Sequence, residues 1–407
     1  MGPISAGERV QAIDILRGFA LFGIIAANMR GFAGPVEVYF NWRLLWNGTA
    51  DVVAQTAIDA LISGKFITLF AFLFGLGFAV QMDRTRERGQ AIAGLYSRRL
   101  TILLLFGAAH VLLLWWGDIL VPYALVGFLL LLFRNRSQKA LLIWAIGISL
   151  VPVLIMTTLY TLVQFGVTIP SPPRPKPEAI QHALRIYSQG GWVEIFRQRI
   201  ADWIFLNRMF LFPIVFVLPR FLFGVYVWRS GFIQNLAGRE ATLRKIFAGG
   251  LAIGLPLNVA GALIVAIMNP NPFAPTLPAL VLTVMWQISV PALSAAYAAG
   301  IWLLYLSGRR GWVERFAAVG RSALSNYILQ SLVATTLFYS YGLRLFGKTG
   351  PALGLIPTFA IYAAQVALSN WWFTRFQFGP LEWLWRSLTY GKLQPMRKDE
   401  FRVAEAL

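Results

Sequence analysis

The feature that most constrains this chain is the recurrence of long apolar stretches along its whole length. About 20 consecutive apolar residues match the roughly 30 Å hydrocarbon thickness of a bilayer. About ten such stretches can be placed, at 13–29, 57–82, 100–116, 119–133, 140–163, 205–228, 246–268, 280–306, 324–343 and 352–373. Backbone groups in hydrocarbon must find partners within their own segment, so each stretch reads as a helix. The expected fold is therefore an all-α polytopic membrane protein with one membrane domain, 1–407.

Composition supports this. Of 407 residues, 57% are hydrophobic and only 13% charged. A soluble domain carries about 25% charged residues. The net charge of +19 sits in short basic clusters between apolar stretches. That suits loops facing an anionic leaflet and argues against nucleic acid as a partner. The chain has no cysteine, which removes disulfides and thiolate chemistry. The first stretch contains Asp14 and Arg17, unusual in a signal-peptide core, so it reads as a retained span.

Loop charges suggest orientation. Arg84, Arg86, Arg88, Arg98 and Arg99 lie between the second and third stretches; Arg134, Arg136 and Lys139 follow the fourth. Arg229, Arg239, Arg244 and Lys245 follow the sixth, and Arg309, Arg310, Arg315 and Arg321 the eighth. The connection 269–278 has no charge. The positive-inside rule places the dense clusters and both termini in the cytoplasm. The basic connection at 166–202 is the exception. It opens on a Pro-rich run and continues with mixed charged and apolar residues, so amphipathic helices on the outer surface are expected there. The segment 377–407 is expected to be a cytoplasmic tail.

Ionisable residues inside spans are costly and usually face the bundle interior. Asp14 and Arg17 are three apart and can pair. Lys65 is expected to snorkel towards a headgroup. Arg220 follows Pro219 with no acidic residue nearby in its stretch. Asn326 and Gln330 lie one turn apart and can bridge helices. Glu382 and Arg386 lie four apart after Pro380, and an ion pair is expected. His110 is one of two histidines and lies in an apolar run. It reads either as a helix-bridging group or as a general base. Gly117 and Asp118 divide the third and fourth stretches, so a tight hairpin with a solvated Asp118 at its tip is expected. Contact between Asp118 and His110 would need that hairpin to bend back.

Several of these residues fall in ordered motifs. Asp14-Ile15-Leu16-Arg17-Gly18 resembles the DxLRG opening of the YeiB-like family, known as domain of unknown function 418. Gly64-Lys65-Phe66 with Leu73-Phe74-Gly75-Leu76-Gly77-Phe78 resembles its GKF…LFGxGF segment. Gly107 to His110, with Leu114-Trp115-Trp116-Gly117-Asp118-Ile119-Leu120, is similar to GxxH…LWxGDIL. Val319-Gly320-Arg321 with Ser325-Asn326-Tyr327 and Gln330-Ser331 resembles GRxALTNYxxQS, with Ser325 where threonine is usual. The run from Gly379 to Arg386, with Thr389-Tyr390-Gly391, resembles GPxEWLWRxLTYG. The family in turn resembles membrane acyltransferases such as the heparan glucosaminide acetyltransferases, which use a histidine within a span. That resemblance implies transfer of an acyl group from cytoplasmic acyl-CoA, acetyl-CoA foremost, to a small-molecule or glycan acceptor outside a bacterial inner membrane.

The expected roles follow. His110 is the general base, with Asp118 beside it and Asn326 or Gln330 as oxyanion donor. Arg17, Arg220, Arg321 and Arg386 meet the donor phosphates. Asp14 and Glu382 serve in ion pairs, and no metal is expected. The alternative is a small-molecule transporter without covalent chemistry. A homodimer stays open.

Overall fold

A computed structural model describes residues 6–39, 41–87, 92–170, 175–207, 211–308 and 310–398. Arg88 and Arg309 of the basic clusters, four residues (171–174) of the Pro-rich run, and the tail beyond 398 fall outside them. Sixteen α-helices account for most of the described chain. They are α1 Ala6–Ala33, α2 Thr49–Leu61, α3 Lys65–Glu87, α4 Ile92–Leu113, α5 Leu120–Leu130, α6 Gln138–Gln164, α7 Pro177–Gln189 and α8 Trp192–Leu206. The second half holds α9 Leu211–Arg229, α10 Glu240–Met268, α11 Leu277–Leu306, α12 Arg310–Val313, α13 Arg315–Arg321, α14 Ala323–Phe338, α15 Pro351–Arg375 and α16 Pro380–Tyr390. Among the described residues there is no strand, only one isolated bridge between Phe376 and Arg397.

Among the described residues seven segments are long and apolar enough to cross a membrane: Gln11–Ala33, Thr49–Arg86, Ala93–Leu113, α6, Ala237–Met268, α11 and α15. The protein is therefore a polytopic, helical membrane protein. The expected stretches at 119–133, 205–228 and 324–343 correspond to α5, α9 and α14, which are not among the seven. Two boundaries move. Phe205 belongs to the end of α8, and α14 stops at Phe338 because Tyr339 turns to extended backbone.

Segment 11–33 is the axis: an apolar 18-residue window in it is 72% buried, against 11% for the matching window of α6. Ala12, Ile15, Leu16, Ala20, Leu21 and Ile25 are fully enclosed, and α3, α13, α14 and α15 pack around them. Exposed Ile143, Trp144, Ile146 and Leu154 mark α6 as peripheral.

Lipid is as apolar as leucine, so helices in it associate through close packing and hydrogen bonds rather than hydrophobic drive. Glycines at the crossings fit that rule. A Cβ on Gly18 would collide with the Phe316 carbonyl, and one on Gly320 with the Asp14 carbonyl. The α1–α13 crossing therefore demands glycine in both the LRG and VGR motifs. Gly75 and Gly224 serve the α3–α9 crossing in the same way.

The expected second stretch is not one continuous helix. Residues 62–64 break it, and Gly64 sits at φ 83°, a conformation that favours glycine. Lys65, first residue of α3, is fully buried rather than snorkelling. Its Nζ donates to the Asp59 carbonyl at 2.6 Å and faces the Trp286 ring. In the 166–202 connection, α7 buries Ile180, Ala183 and Tyr187, and α8 buries Ile195, Arg199 and Asp202. Trp192, Val193 and Phe196 point outward.

Candidate functional site

The site begins at the α4–α5 connection. Residues 114–119 form no tight hairpin with a solvated tip. Trp115, Trp116 and Asp118 are all buried. Trp115 packs against Phe32 with ring centroids 4.0 Å apart and donates to the Gly31 carbonyl at 3.1 Å. These anchors fold the loop back against α4. Gly107 makes room for it, since a Cβ there would lie 2.6 Å from the Val121 nitrogen. One helical turn on from Gly107 stands His110, so the glycine and the histidine of GxxH share a face.

The two ring nitrogens of His110 are both engaged. Nδ1 lies 2.9 Å from Asp118 Oδ1, and Nε2 lies 2.8 Å from Ser331 Oγ. Asp118 Oδ2 accepts from the Val121 N–H at 2.6 Å, which caps the start of α5. A carboxylate can only accept, so Nδ1 carries the proton. In the neutral ring Nε2 is then the acceptor, and the Ser331 hydroxyl donates to it. Both the His110 and Asp118 side chains are wholly enclosed, as is Ser331. The Tyr327 ring lies 5.0 Å from the imidazole, and its hydroxyl accepts from the Ile119 N–H at 3.3 Å. The resulting Ser–His–Asp chain is the hydrogen-bond geometry that activates a hydroxyl.

The start of α14, the helix that carries Ser331, is tied to the tail. Glu382 Oε1 accepts from the N–H groups of Leu324 at 2.6 Å and Ser325 at 3.1 Å, and Oε2 accepts from the Ser325 hydroxyl at 2.6 Å. Ser325 Oγ in turn accepts from the Leu381 N–H at 2.9 Å. The starts of α14 and α16 thus cap each other. Glu382 is a helix cap and not the partner of Arg386 expected from their spacing. Burial pushes its carboxyl above the usual range, against the pull of the bonds from Ser325 and Leu324.

Asn326 and Gln330 face elsewhere. Asn326 Nδ2 donates to the Ser322 carbonyl at 3.1 Å and Ser369 Oγ at 3.0 Å. Gln330 Nε2 donates to Gln365 Oε1 at 2.9 Å and the Leu21 carbonyl at 3.3 Å, while Gln365 donates to the Asn326 carbonyl at 2.8 Å. Both amides join α14 to α15, and Gln330 also reaches α1. Neither is free to serve as the expected oxyanion donor.

Basic residues gather at the other end of these helices. Arg17 binds Asp14 at 2.8 Å, so that expected pair forms. Arg321 and Arg386 also surround Asp14, and Arg84 lies beside Arg386. Arg321 stacks over Phe373 at 4.1 Å, Arg386 over Phe378 at 4.8 Å and Arg99 over Trp385 at 4.0 Å. Arg99 and His110 share α4, eleven residues apart, which is about 16 Å of helix rise. Arg220 does not join this group. It sits over Phe216, with long contacts of 3.5 Å to the Val215 carbonyl and Gln287 Oε1. A separate basic pocket of about 730 Å³ opens where α3, α6 and α9 meet, lined by Arg86, Arg134, Arg136 and Arg229.

At the His110 end, the fully buried Arg199 of α8 donates to the Leu112 carbonyl at 2.6 Å. Asp202 accepts from Tyr187 at 2.6 Å and Gln198 at 2.7 Å. Burial pushes the Asp202 carboxyl up to about 7, with Glu37 nearby adding to the rise. Arg30 pairs with Asp59 at 3.6 Å, a contact with no sequence signal. Among the described residues no three His, Asp or Glu side chains converge as metal ligands.

Relatives of the chain share this length. YxaH of Bacillus subtilis is 35% identical over 97% of this chain and 98% of its own, and YeiB of Escherichia coli 30% over 95% and 98%. A 39.9 kDa protein in an amylase 3′ region of Bacillus acidopullulyticus is 29% identical over 97% and 98%. A family model described as protein of unknown function (DUF418) matches residues 227–392. The chain belongs to the DUF418 family. The segment matched by the DUF418 model holds Ser331, Asn326, Gln330, Arg321, Arg386 and Glu382. His110 and Asp118 lie outside it, in the part of the chain reached by the full-length relatives.

Proposed function

We propose that this DUF418 protein is a transmembrane acyltransferase. It takes an acyl group from cytoplasmic acyl-CoA and delivers it to an acceptor hydroxyl or amine entering from outside. The observation that carries this reading is the His110 imidazole, bound by Asp118 on one nitrogen and by a hydroxyl on the other, deep in a helical bundle. A neutral imidazole so oriented can take a proton from a hydroxyl or amine in the transition state.

In this reading the chain crosses a bacterial inner membrane about ten times, with α5, α9 and α14 as the shorter crossings and both termini inside. The donor phosphates meet Arg17, Arg321 and Arg386, whose guanidinium groups suit bidentate contacts. The thioester reaches along α4 towards His110. The acceptor, a small molecule or a glycan, enters where α8 packs against the end of α4. A carrier without covalent chemistry is the second reading. The broken α2–α3 helix with its buried lysine favours it, since discontinuous helices line transporter sites.

Binding and turnover separate the two. Purified protein should bind acetyl-CoA, and His110→Ala should keep that binding while transfer falls by about 10²-fold or more. Arg386→Leu should weaken donor binding by about tenfold, and Arg220→Leu should leave it unchanged. Absence of any affinity for CoA thioesters would sink the enzyme reading. Solute exchange across proteoliposomes without a thioester would establish the carrier.

A further inference from the structure

The hydroxyl on His110 Nε2 belongs to the protein itself. A serine inside an apolar helix ordinarily gives its proton to the carbonyl four residues back. Ser331 lies 3.4 Å from the Tyr327 carbonyl, a long contact, and 2.8 Å from His110 Nε2. With the imidazole neutral, its proton points at Nε2, the nearer acceptor. His110 reaches Asp118 at 2.9 Å on its other side, so the three residues form one relay across α4, the 114–119 loop and α14. No part of the donor-binding reading requires a serine there. Neither does helix bridging, which the adjacent Gln330 already performs through Gln365 and Leu21.

We infer that Ser331 is the nucleophile of a two-step transfer and is transiently acylated. This rests on the acyl-transfer reading and adds a covalent intermediate to it. In the first step Ser331 Oγ attacks the thioester carbonyl as its proton passes to His110 Nε2. The carbon–sulfur bond breaks, the proton moves from Nε2 to the departing sulfur, and free coenzyme A leaves. An ester joins the acyl group to Ser331. In the second step the acceptor hydroxyl or amine gives its proton to Nε2 and attacks the ester carbonyl. The bond to Oγ breaks, and Oγ recovers the proton. Asp118 holds the imidazole and stabilises its charged form in both steps. Full enclosure of Ser331 keeps water from the ester. Such an intermediate lets donor and acceptor react in turn, from opposite sides, without meeting in one complex.

The test needs only the donor. Full-length protein in nanodiscs is mixed with acetyl-CoA and no acceptor, and free coenzyme A is followed alongside peptide mass spectrometry. Release should stop at an amount stoichiometric with protein, and the peptide containing Ser331 should gain one acetyl group. Ser331→Ala should bind acetyl-CoA as the wild type does, yet release coenzyme A at least about 10²-fold more slowly and carry no adduct. Ser331→Cys, close in size, should carry a thioester that neutral hydroxylamine cleaves, a change that a merely structural serine would not produce. Wild-type protein that binds acetyl-CoA and transfers it while Ser331 stays unmodified overturns the inference and leaves the acyltransferase reading standing. So does an adduct on His110, or Ser331→Ala that transfers at the wild-type rate. Failure to bind any thioester removes both readings together.

Discussion

Replacing Gly107 with alanine tests how the site is built. The new methyl carbon would lie 2.6 Å from the Val121 nitrogen, 2.8 Å from Val121 Cγ2 and 3.0 Å from Leu120 Cβ. Comfortable contacts between such atoms are about 3.5–4.0 Å. The start of α5 must therefore retreat by about 1 Å. Asp118 moves with it, because its Oδ2 is tied to the Val121 N–H. The His110–Asp118 bond, now 2.9 Å, would open towards about 4 Å and cease to be a hydrogen bond. Overpacking and the lost bond share one displacement, so their costs overlap, and about 2–3 kcal/mol of stability should go. A misplacement of about 1 Å should also slow turnover by about 10²-fold. Gly94 is the control. It lies in the same helix, and a Cβ there meets nothing within 4 Å, so Gly94→Ala should be neutral or slightly stabilising. Unfolding in detergent can be followed by tryptophan fluorescence, since Trp115 and Trp116 flank the site, and turnover by coenzyme A release. If Gly107→Ala matches the wild type in both, the close approach of α5 to α4 is not what aligns Asp118.

Two other outcomes are expected. Asp202 is protonated in the folded protein up to about pH 7, against an ordinary value of 3.8; a raised acid binds more protons folded than unfolded, so its contribution is full below about pH 4 and is lost as pH rises to about 7. The free energy of unfolding should fall across that window, by up to about a few kcal/mol, and Asp202→Asn should flatten the slope; an unchanged slope would show that this carboxyl is ionised in the fold. Glu382→Ala should cost about 1–3 kcal/mol by uncapping α14, and hydrogen exchange at Leu324 and Ser325 should quicken; unaltered exchange there would contradict the cap.

Much of the scaffold was readable from the chain because hydropathy is a one-dimensional signal. The Asp14–Arg17 pair was also readable, since three residues on a helix fix a shared face. What failed needed information from distant segments. The spacing of Glu382 and Arg386 suggested an ion pair, but the start of α14 offered two free N–H groups and took the carboxylate. Arg220 looked like one of the basic cluster because hydropathy gives depth and not azimuth around the bundle. Asp118 looked solvated because Gly-Asp ordinarily marks a turn, whereas Trp115 and Trp116 drag that turn inside. Ser331 stood in the GRxALTNYxxQS-like motif without a role, since a single hydroxyl in an apolar helix is unremarkable until its neighbour on another helix is known. The glycines of LRG, VGR and GxxH were visible as a pattern, yet their reason lies in backbones that touch across the crossings.

The central position of α1 has a consequence for assembly. It is made before every other described helix, yet three of the helices that enclose it, α13 to α15, come near the end of that order. For most of translation the future axis of the bundle must wait without its final neighbours. Asp14 and Arg17 suit that wait, because each neutralises the other within one turn and needs no later helix to do so. Gly18, by contrast, stays bare until α13 arrives to cover it. A chain cut short before α13 would display that groove to lipid and to other nascent helices, and so would be marked as incomplete by the same surface that later closes the fold.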